Sequence, residues 1–249
     1  MYHDIMELNH FYQTPLGERA AEAIWSQLRY LIPHTKGQKI VGLGYASPYL
    51  SCLEEKNIQL INFMPAQQGV TWWPSQTLNR TALVDEDDLP LDDQSVDCVI
   101  LVHSLDSTEQ LPRLLREVWR VLVGQGKLIV IVPNRRGFWA RSDATPFGYG
   151  RSFSNVQLRS ILAREHFVPN RPKRCLFFPP FRSTTFLKLA GLIDDMGRRF
   201  FPGLSGVYIM DAVKQVYSMR AEPVAVKKAI AMKTAVPAVS MMDHTKQQI

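Results

Sequence analysis

The chain has 249 residues, a hydrophobic fraction of 46% and a formal net charge of +6 at neutral pH. This length and apolar content suit one domain of about 200–250 residues, and no apolar run approaches the ~18 residues of a membrane-spanning helix. Its three cysteines, Cys52, Cys98 and Cys175, lie far apart without a CxxC pair, which argues against a disulfide framework or a metal site.

Hydrophobic periodicity predicts alternating helices and strands in the first part of the chain. In chain order these are a helix at 16–31, a strand at 38–43, a helix at 49–56, strands at 58–64, 81–84 and 96–102, a helix at 111–122 and a strand at 127–132. The strands are apolar runs without alternation, which is typical of parallel strands buried on both faces. We therefore expect a Rossmann-like, doubly wound α/β sheet that is mostly parallel, with helices on both faces.

The pattern changes after residue 134, where 135–151 is rich in Gly, Pro and aromatic residues and is expected to be a loop. A helix at 154–165, a small aromatic cap insert at 177–206 with a helix at 184–196, and a returning strand at 207–217 are predicted next. The predicted organisation is an N-terminal helical segment (1–36), a main domain (37–218) and a flexible tail (219–249).

Residues 79–134 carry the most specific pattern, NRTALVDEDDLPLDDQSVDCVILVHSLDSTEQLPRLLREVWRVLVGQGKLIVIVPN. It combines an acidic turn ending in Leu-Pro, a strand opened by Ser-Val-Asp, a helix with Arg-Glu…Arg-Val-Leu, and a glycine turn before another strand. In this order and spacing it resembles the class I S-adenosylmethionine-dependent methyltransferases of the type 11 group. The phrases GLGYASPYL, LVDEDDLP, REVWRVL and VPNRRGFWAR are also similar to an alphaproteobacterial methyltransferase-like group with altered glycine and ribose-binding positions.

The resemblance implies an S-adenosylmethionine site at the carboxyl ends of the strands. Gly42 and Gly44, with Tyr45 after them, occupy the glycine turn that follows the first strand, although Ala46 replaces the usual third glycine. Ile40 stands where an acid often precedes this turn.

A second departure lies at the end of the second strand, where Met64 replaces the carboxylate that usually binds the ribose hydroxyls. Gln67 and Gln68 are nearby amides that could take its place. Asp85 and Glu86 lie where the family recognises the adenine edge, and the alternative is a solvated acidic loop.

Two further side chains are candidates beside the transferred methyl group. His103 follows the fourth strand and could act as a general base, with a structural role as the alternative. Tyr12 precedes the first predicted helix, in a segment that covers the cofactor in related folds, and we expect it to belong to this N-terminal lid.

The resemblance implies a small-molecule or lipophilic methyl acceptor, and the insert at 177–206 interleaves phenylalanines with basic residues. That composition suits either a cap with its own core or peripheral contact with an anionic membrane. Nucleic acid is an unlikely partner because no recognised binding module accompanies the basic second half. The first residues lack a signal pattern, so a cytoplasmic protein is expected. A non-catalytic binding or regulatory protein that keeps the fold is the alternative function.

Overall fold

The computed structural model describes residues 2–33, 37–56, 58–181 and 183–216. These residues include six α-helices: α1 Ile5–Tyr12, α2 Pro15–Leu28, α3 Ser47–Leu50, α4 Leu111–Val121, α5 Asn155–Arg164 and α6 Thr184–Phe200. Eight strands are β1 Lys39–Gly44, β2 Gln59–Pro65, β3 Thr81–Val84, β4 Val96–Val102, β5 Leu122–Pro133, β6 Phe167–Pro169, β7 Lys173–Cys175 and β8 Val207–Lys214. The predicted tail at 219–249 lies outside the described residues.

The strands form a single eight-stranded sheet in the order β3-β2-β1-β4-β5-β8-β6, with β7 also paired to β8. The five strands from β3 to β5 are parallel, and β8 joins antiparallel to β5. The expected Rossmann-like, mostly parallel fold is therefore confirmed. No helix in the described part of the chain is long and apolar enough to cross a membrane.

Both faces of the sheet are covered, and side chains of one strand alternate between two cores. In β4, Cys98, Ile100 and Val102 pack in the core that contains α1 and α2, whereas Val99 and Leu101 pack in the core that contains α4 and α5. All five are fully buried. Burial on both faces explains why the strands lack the polar alternation of a half-exposed sheet.

Helix α1 is the main element that the sequence pattern did not predict. Asp4 caps it, since its side chain accepts a hydrogen bond from the Met6 backbone N–H at 2.7 Å. Ile5 and Leu8 are buried on one side of the helix, and Tyr12 is buried at its end. The short strands β6 and β7 were also not predicted, because three residues carry too little periodicity to be recognised.

The acidic loop after β3 is held by two side chains of α4. A carboxylate oxygen of Glu117 accepts the Leu89 backbone N–H at 2.8 Å, and the Arg120 guanidinium donates to the carbonyls of Leu89 and Leu91 at 3.0 and 2.8 Å. Arg120 also contacts Glu117 itself. This pair therefore fixes the loop that carries Asp85 and Glu86, which is a structural role.

Strand β8 ends at a buried amine. The Lys214 ammonium donates to the Leu122 carbonyl at 2.5 Å and lies 4.0 Å from the centre of the Trp119 ring. Burial lowers the pKa of Lys214. These contacts tie β8 to the start of β5 and to α4.

Gly44 closes β1 in a conformation that only glycine adopts easily, with φ of +87°. The Tyr45 backbone N–H donates to the Val102 carbonyl at 2.9 Å, and a Cβ on Gly44 would lie 2.1 Å from that carbonyl oxygen. The ends of β1 and β4 therefore approach too closely for any side chain at this position.

We expect Gly44→Ala to lower the free energy of unfolding by about 3 kcal/mol or more, because it combines left-handed strain with overpacking. Gly37→Ala is the matched control: its φ is +82°, but a Cβ there meets nothing within 4 Å. Strain alone then costs about 1–2 kcal/mol. Thermal denaturation of both variants measures the difference, and equal losses would contradict the role of the Val102 contact.

Candidate functional site

The predicted cofactor residues converge at the carboxyl edge of β1 to β4. Gly44 and Tyr45 lie at the end of β1, beside the end of β4. Gly42 is required for packing inside the sheet, since a Cβ there would lie 2.6 Å from the Ala46 Cβ and 2.7 Å from the Asn62 Oδ1. The structure therefore explains the two glycines through contacts of the chain with itself.

Met64 is fully buried at the end of β2, and its sulfur accepts the Thr71 backbone N–H at 3.4 Å. Of the two amides that follow, Gln68 is buried and Gln67 is exposed. The Gln68 Nε2 donates to the His103 carbonyl at 3.2 Å. This hydrogen bond links the segment after β2 to the segment after β4, across the end of β1, which lies between them in the sheet. Its Oε1 is buried without a hydrogen-bond partner among the described residues.

The two predicted acids after β3 are placed differently. Asp85 is exposed, and its carboxylate accepts the Asp87 backbone N–H at 3.1 Å. Glu86 is 5% exposed and points inward, where its Oε1 accepts hydrogen bonds from the hydroxyls of Tyr2 and Thr108. Within the described residues its Oε2 has no partner. Burial raises the pKa of Glu86, and the two hydroxyl hydrogen bonds oppose that rise.

His103 is 2% exposed, and its Nε2 lies 2.9 Å from the Tyr12 hydroxyl. Burial raises the pKa of Tyr12, so the phenol keeps its proton, which either the His103 Nε2 or the Tyr49 hydroxyl, 3.3 Å away, can accept. The His103 Nδ1 is 3.8 Å from the carboxylate of Asp106, which is buried and has no hydrogen-bond partner in the described part of the chain. Tyr12, His103 and Asp106 thus form a line from α1 to the loop after β4.

The N-terminal segment from Tyr2 to Tyr12 lies over this edge of the sheet. Besides the Tyr2 contact with Glu86, the Ile5 backbone N–H donates to the Gln68 carbonyl at 2.9 Å. The Tyr45 hydroxyl donates to the Asn9 side chain at 3.0 Å, and the rings of Tyr12 and Tyr45 stack with centroids 5.3 Å apart. The segment therefore lies at the edge of the sheet where the cofactor is expected, and its role as a lid stays a prediction.

A cavity of about 400 Å³ lies on the outer side of α1. Its walls come from α1, the start of α2, the loop at 143–149 and one residue of α6: His3, Glu7, His10, Phe11, Thr14, Pro15, Leu16, Asp143, Ala144, Thr145, Pro146, Tyr149 and Leu187. His3 connects this cavity to the inner site, since its ring centre is 6.2 Å from that of His103. Burial lowers the pKa of His3, which keeps its imidazole neutral at pH 7.

Three contributing residues were missed from sequence, Tyr2, His3 and Asp106, and the choice of Gln68 over Gln67 was left open. Asp4 followed by apolar residues at helical spacing was the available signal for α1 and for the two aromatic residues before it. Asp106 stands three residues after His103, a spacing that is uninformative without the turn between them. Among the described residues, no group of three or more His, Cys, Asp or Glu side chains could hold a metal ion.

We expect Glu86→Gln to raise the Tm at about pH 8 and to leave it nearly unchanged at about pH 4. An acid whose pKa is raised by folding loses stability as the pH rises from its unfolded pKa, about 4.3, to its folded pKa, and glutamine removes that loss. Thermal denaturation across this range measures it. Glu109→Gln, at an exposed glutamate, is the control. A pH-independent effect of Glu86→Gln would contradict the buried-carboxylate interpretation.

Residues 40–130 match the family model described as a methyltransferase domain, of type 11. No curated protein matches the sequence.

Solved structures with a similar fold include an S-adenosylmethionine-dependent methyltransferase from Thermotoga maritima, with a TM-score of 0.56 and 16% identity over 85% of this chain and 95% of the other. Another, from Archaeoglobus fulgidus, has a TM-score of 0.55 and 17% identity over 78% of this chain and 94% of the other. The [4+2]-cyclase SpnF has a TM-score of 0.55 and 19% identity over 81% of this chain and 83% of the other.

These structures share the fold with the chain, and the domain match adds the family signature. The narrower resemblance to an alphaproteobacterial group stays a prediction. The domain match over residues 40–130 and the shared fold make the chain similar to S-adenosylmethionine-dependent methyltransferases.

Proposed function

We propose that the chain transfers a methyl group from S-adenosylmethionine to a small or lipophilic acceptor bound in the cavity beside α1. The observation that carries the proposal is a set of buried acceptor atoms without donors at the carboxyl edge of the sheet: Gln68 Oε1, Glu86 Oε2, Ser104 Oγ and both carboxylate oxygens of Asp106, within the described residues. Buried polar atoms are normally paired, so such a cluster is typical of a ligand site.

The hydrogen-bond donors of S-adenosylmethionine match the unpartnered acceptor atoms of these residues. Its ribose hydroxyls and adenine amino group are hydrogen-bond donors, and the unpartnered oxygens of Gln68 and Glu86 can accept from them. Met64 cannot replace the carboxylate that usually accepts the ribose hydroxyls, because its buried sulfur already accepts the Thr71 backbone N–H. We assign that contact to Gln68, and the adenine side to Glu86 together with the exposed Asp85. Gly42, Gly44, Tyr45 and Tyr12 complete the proposed binding site.

The sulfonium of the bound cofactor supplies an activated methyl group, so the protein mainly orients the donor and acceptor and excludes water. The fully buried ends of β1 and β4 provide a dry floor for that arrangement. The His103 Nε2 lies within hydrogen-bond distance of the Tyr12 hydroxyl, and in the tautomer with the proton on Nδ1 this nitrogen can accept a proton. The Asp106 carboxylate lies 3.8 Å from the other ring nitrogen, Nδ1. We therefore propose His103 as the general base where the acceptor carries a proton.

The proposed acceptor site has a size that suits a small ligand, about 400 Å³. Phe11, Leu16 and Leu187 give it apolar walls, while Glu7 and Asp143 provide two carboxylates. His103 is not among the residues that line the cavity, and His3 stands between the two. Entry of the acceptor to the methyl group therefore requires a rearrangement around His3.

A non-catalytic binding protein is the alternative, and two contacts favour it. The Tyr2 hydroxyl occupies one oxygen of Glu86, and the Gln68 side chain crosses the end of β1 to reach His103. Both contacts lie where the cofactor is expected. If these contacts are permanent, they block the cofactor, and the protein has the methyltransferase fold without the methyl-transfer activity.

We also propose a cytoplasmic location. Cys98 and Cys175 are buried thiols outside any disulfide, and burial raises the pKa of Cys98 to about 12, which keeps it as an unreactive thiol.

Titration calorimetry with S-adenosylmethionine and S-adenosylhomocysteine tests the proposal directly. We expect a micromolar Kd, about −8 kcal/mol, together with a rise in Tm at excess ligand. Glu86→Gln should weaken binding by about tenfold or more, since a hydrogen bond to a charged group contributes roughly 1.5–3 kcal/mol.

Glu109→Gln is the matched control and should leave the Kd unchanged. Absence of both heat and thermal shift at about millimolar ligand, near −4 kcal/mol, would overturn cofactor binding and favour the non-catalytic alternative. Equal Kd values for the wild type and Glu86→Gln would remove Glu86 from the site while leaving the rest of the proposal standing.

A further inference from the structure

Helix α6 presents a stripe of large apolar side chains to solvent. Leu189, Leu192, Met196 and Phe200 are spaced by three, four and four residues, so they share one face of the helix. They are 47%, 65%, 63% and 62% exposed. Phe201, which directly follows the helix, is also 61% exposed.

The opposite face of α6 is anchored to the domain. Leu187 and Ala190 are buried in the core that contains α1 and α2. Asp194 is buried, and its carboxylate accepts the backbone N–H of Phe177 at 2.6 Å and that of Phe178 at 3.3 Å. The helix is therefore apolar on two sides, of which only one faces the protein.

Exposed apolar residues are concentrated here. Of the 18 exposed large hydrophobic residues among the described ones, seven lie between Phe181 and Leu204. Single exposed hydrophobic residues are ordinary on a protein surface, whereas a contiguous patch marks an interaction site. Phe177 and Phe178 at the start of the insert are buried, and Phe178 lies in the core that contains α1 and α2.

The apolar stripe is bordered by basic residues. At 100° per residue, Lys188 and Arg199 lie along one edge of the stripe, together with Asp195. Lys188 and Arg199 form no ion pair with the described residues. Arg198 is also exposed but lies on the opposite side of the helix, near Asp194, and the whole chain has a net charge of +6.

We propose that α6 is a membrane-docking helix, which lies in the interface of an anionic lipid bilayer with Leu189, Leu192, Met196 and Phe200 inserted below the headgroups. An exposed apolar stripe edged by lysine and arginine is the pattern of an interfacial helix. The long side chains of Lys188 and Arg199 reach the lipid phosphates while their stems lie against the apolar boundary. A second copy of the chain is a poorer occupant, because pairing two such faces brings like charges together.

Vesicle co-sedimentation with the full chain tests this surface. We expect binding to phosphatidylcholine vesicles that contain phosphatidylglycerol, weaker binding to phosphatidylcholine alone, and loss of the difference at high salt. The double variant Leu192→Ser with Met196→Ser should reduce partitioning at least tenfold. This reduction corresponds to a loss of about 1.4 kcal/mol or more in binding free energy. Lys188→Gln and Arg199→Gln should each reduce it about fivefold, and only on the anionic vesicles.

Val156→Ser is the matched control, since Val156 on α5 is 76% exposed and stands outside the patch. Its binding should equal that of the wild type, and thermal denaturation should show that all variants remain folded. Equal binding to both kinds of vesicle, or none to either, would overturn the proposal. A concentration-dependent dimer in analytical ultracentrifugation that the double serine variant abolishes would also overturn it, by assigning the stripe to a second copy.

Discussion

The close approach of β1 to β4 at their carboxyl ends is the constraint on which the rest of the site depends. Gly44 lies against the Val102 carbonyl, where no side chain fits, and the Tyr45 N–H is bonded to the same oxygen. Because the two strands meet there, His103 follows directly beside Tyr45. Helix α1 then finds aromatic and polar partners on both strand ends. Tyr45 and His103 are therefore positioned directly by the sheet, whereas Gln68, Glu86 and Asp106 lie in the loops that follow β2, β3 and β4.

The buried acceptor atoms around that junction lower the stability of the fold but favour the binding of a ligand that carries donors. Leaving an acceptor without a donor costs roughly 1–3 kcal/mol. Glu86 Oε2 and the carboxylate of Asp106 are such atoms within the described residues, and no local helix or strand requires them. A ligand that brings donors would offset this cost. The Tyr2 hydroxyl satisfies the other oxygen of the same carboxylate, since it donates to the Glu86 Oε1.

The sheet was predictable from sequence because each parallel strand is an apolar run, and because the 79–134 pattern is long and ordered. The glycine turn was also recognised, although the reason for Gly42 and Gly44 lies in contacts with Asn62 and Val102 that only the fold shows. Helix α1 escaped prediction because eight residues give weak periodicity. The choice of Gln68 over Gln67 could not be made from two identical neighbours, since only the turn after β2 decides which one is buried.

Strand β8 has a consequence for how the protein is made. It pairs with β5, β6 and β7 at once, and Lys214 at its end bonds back to the first residue of β5. During translation, the edge of β5 that pairs with β8 therefore has no partner strand until residue 214 has left the ribosome. For that interval a long apolar strand offers unpaired backbone groups to any neighbour. Protection of the nascent chain by a chaperone would matter most between the synthesis of these two strands.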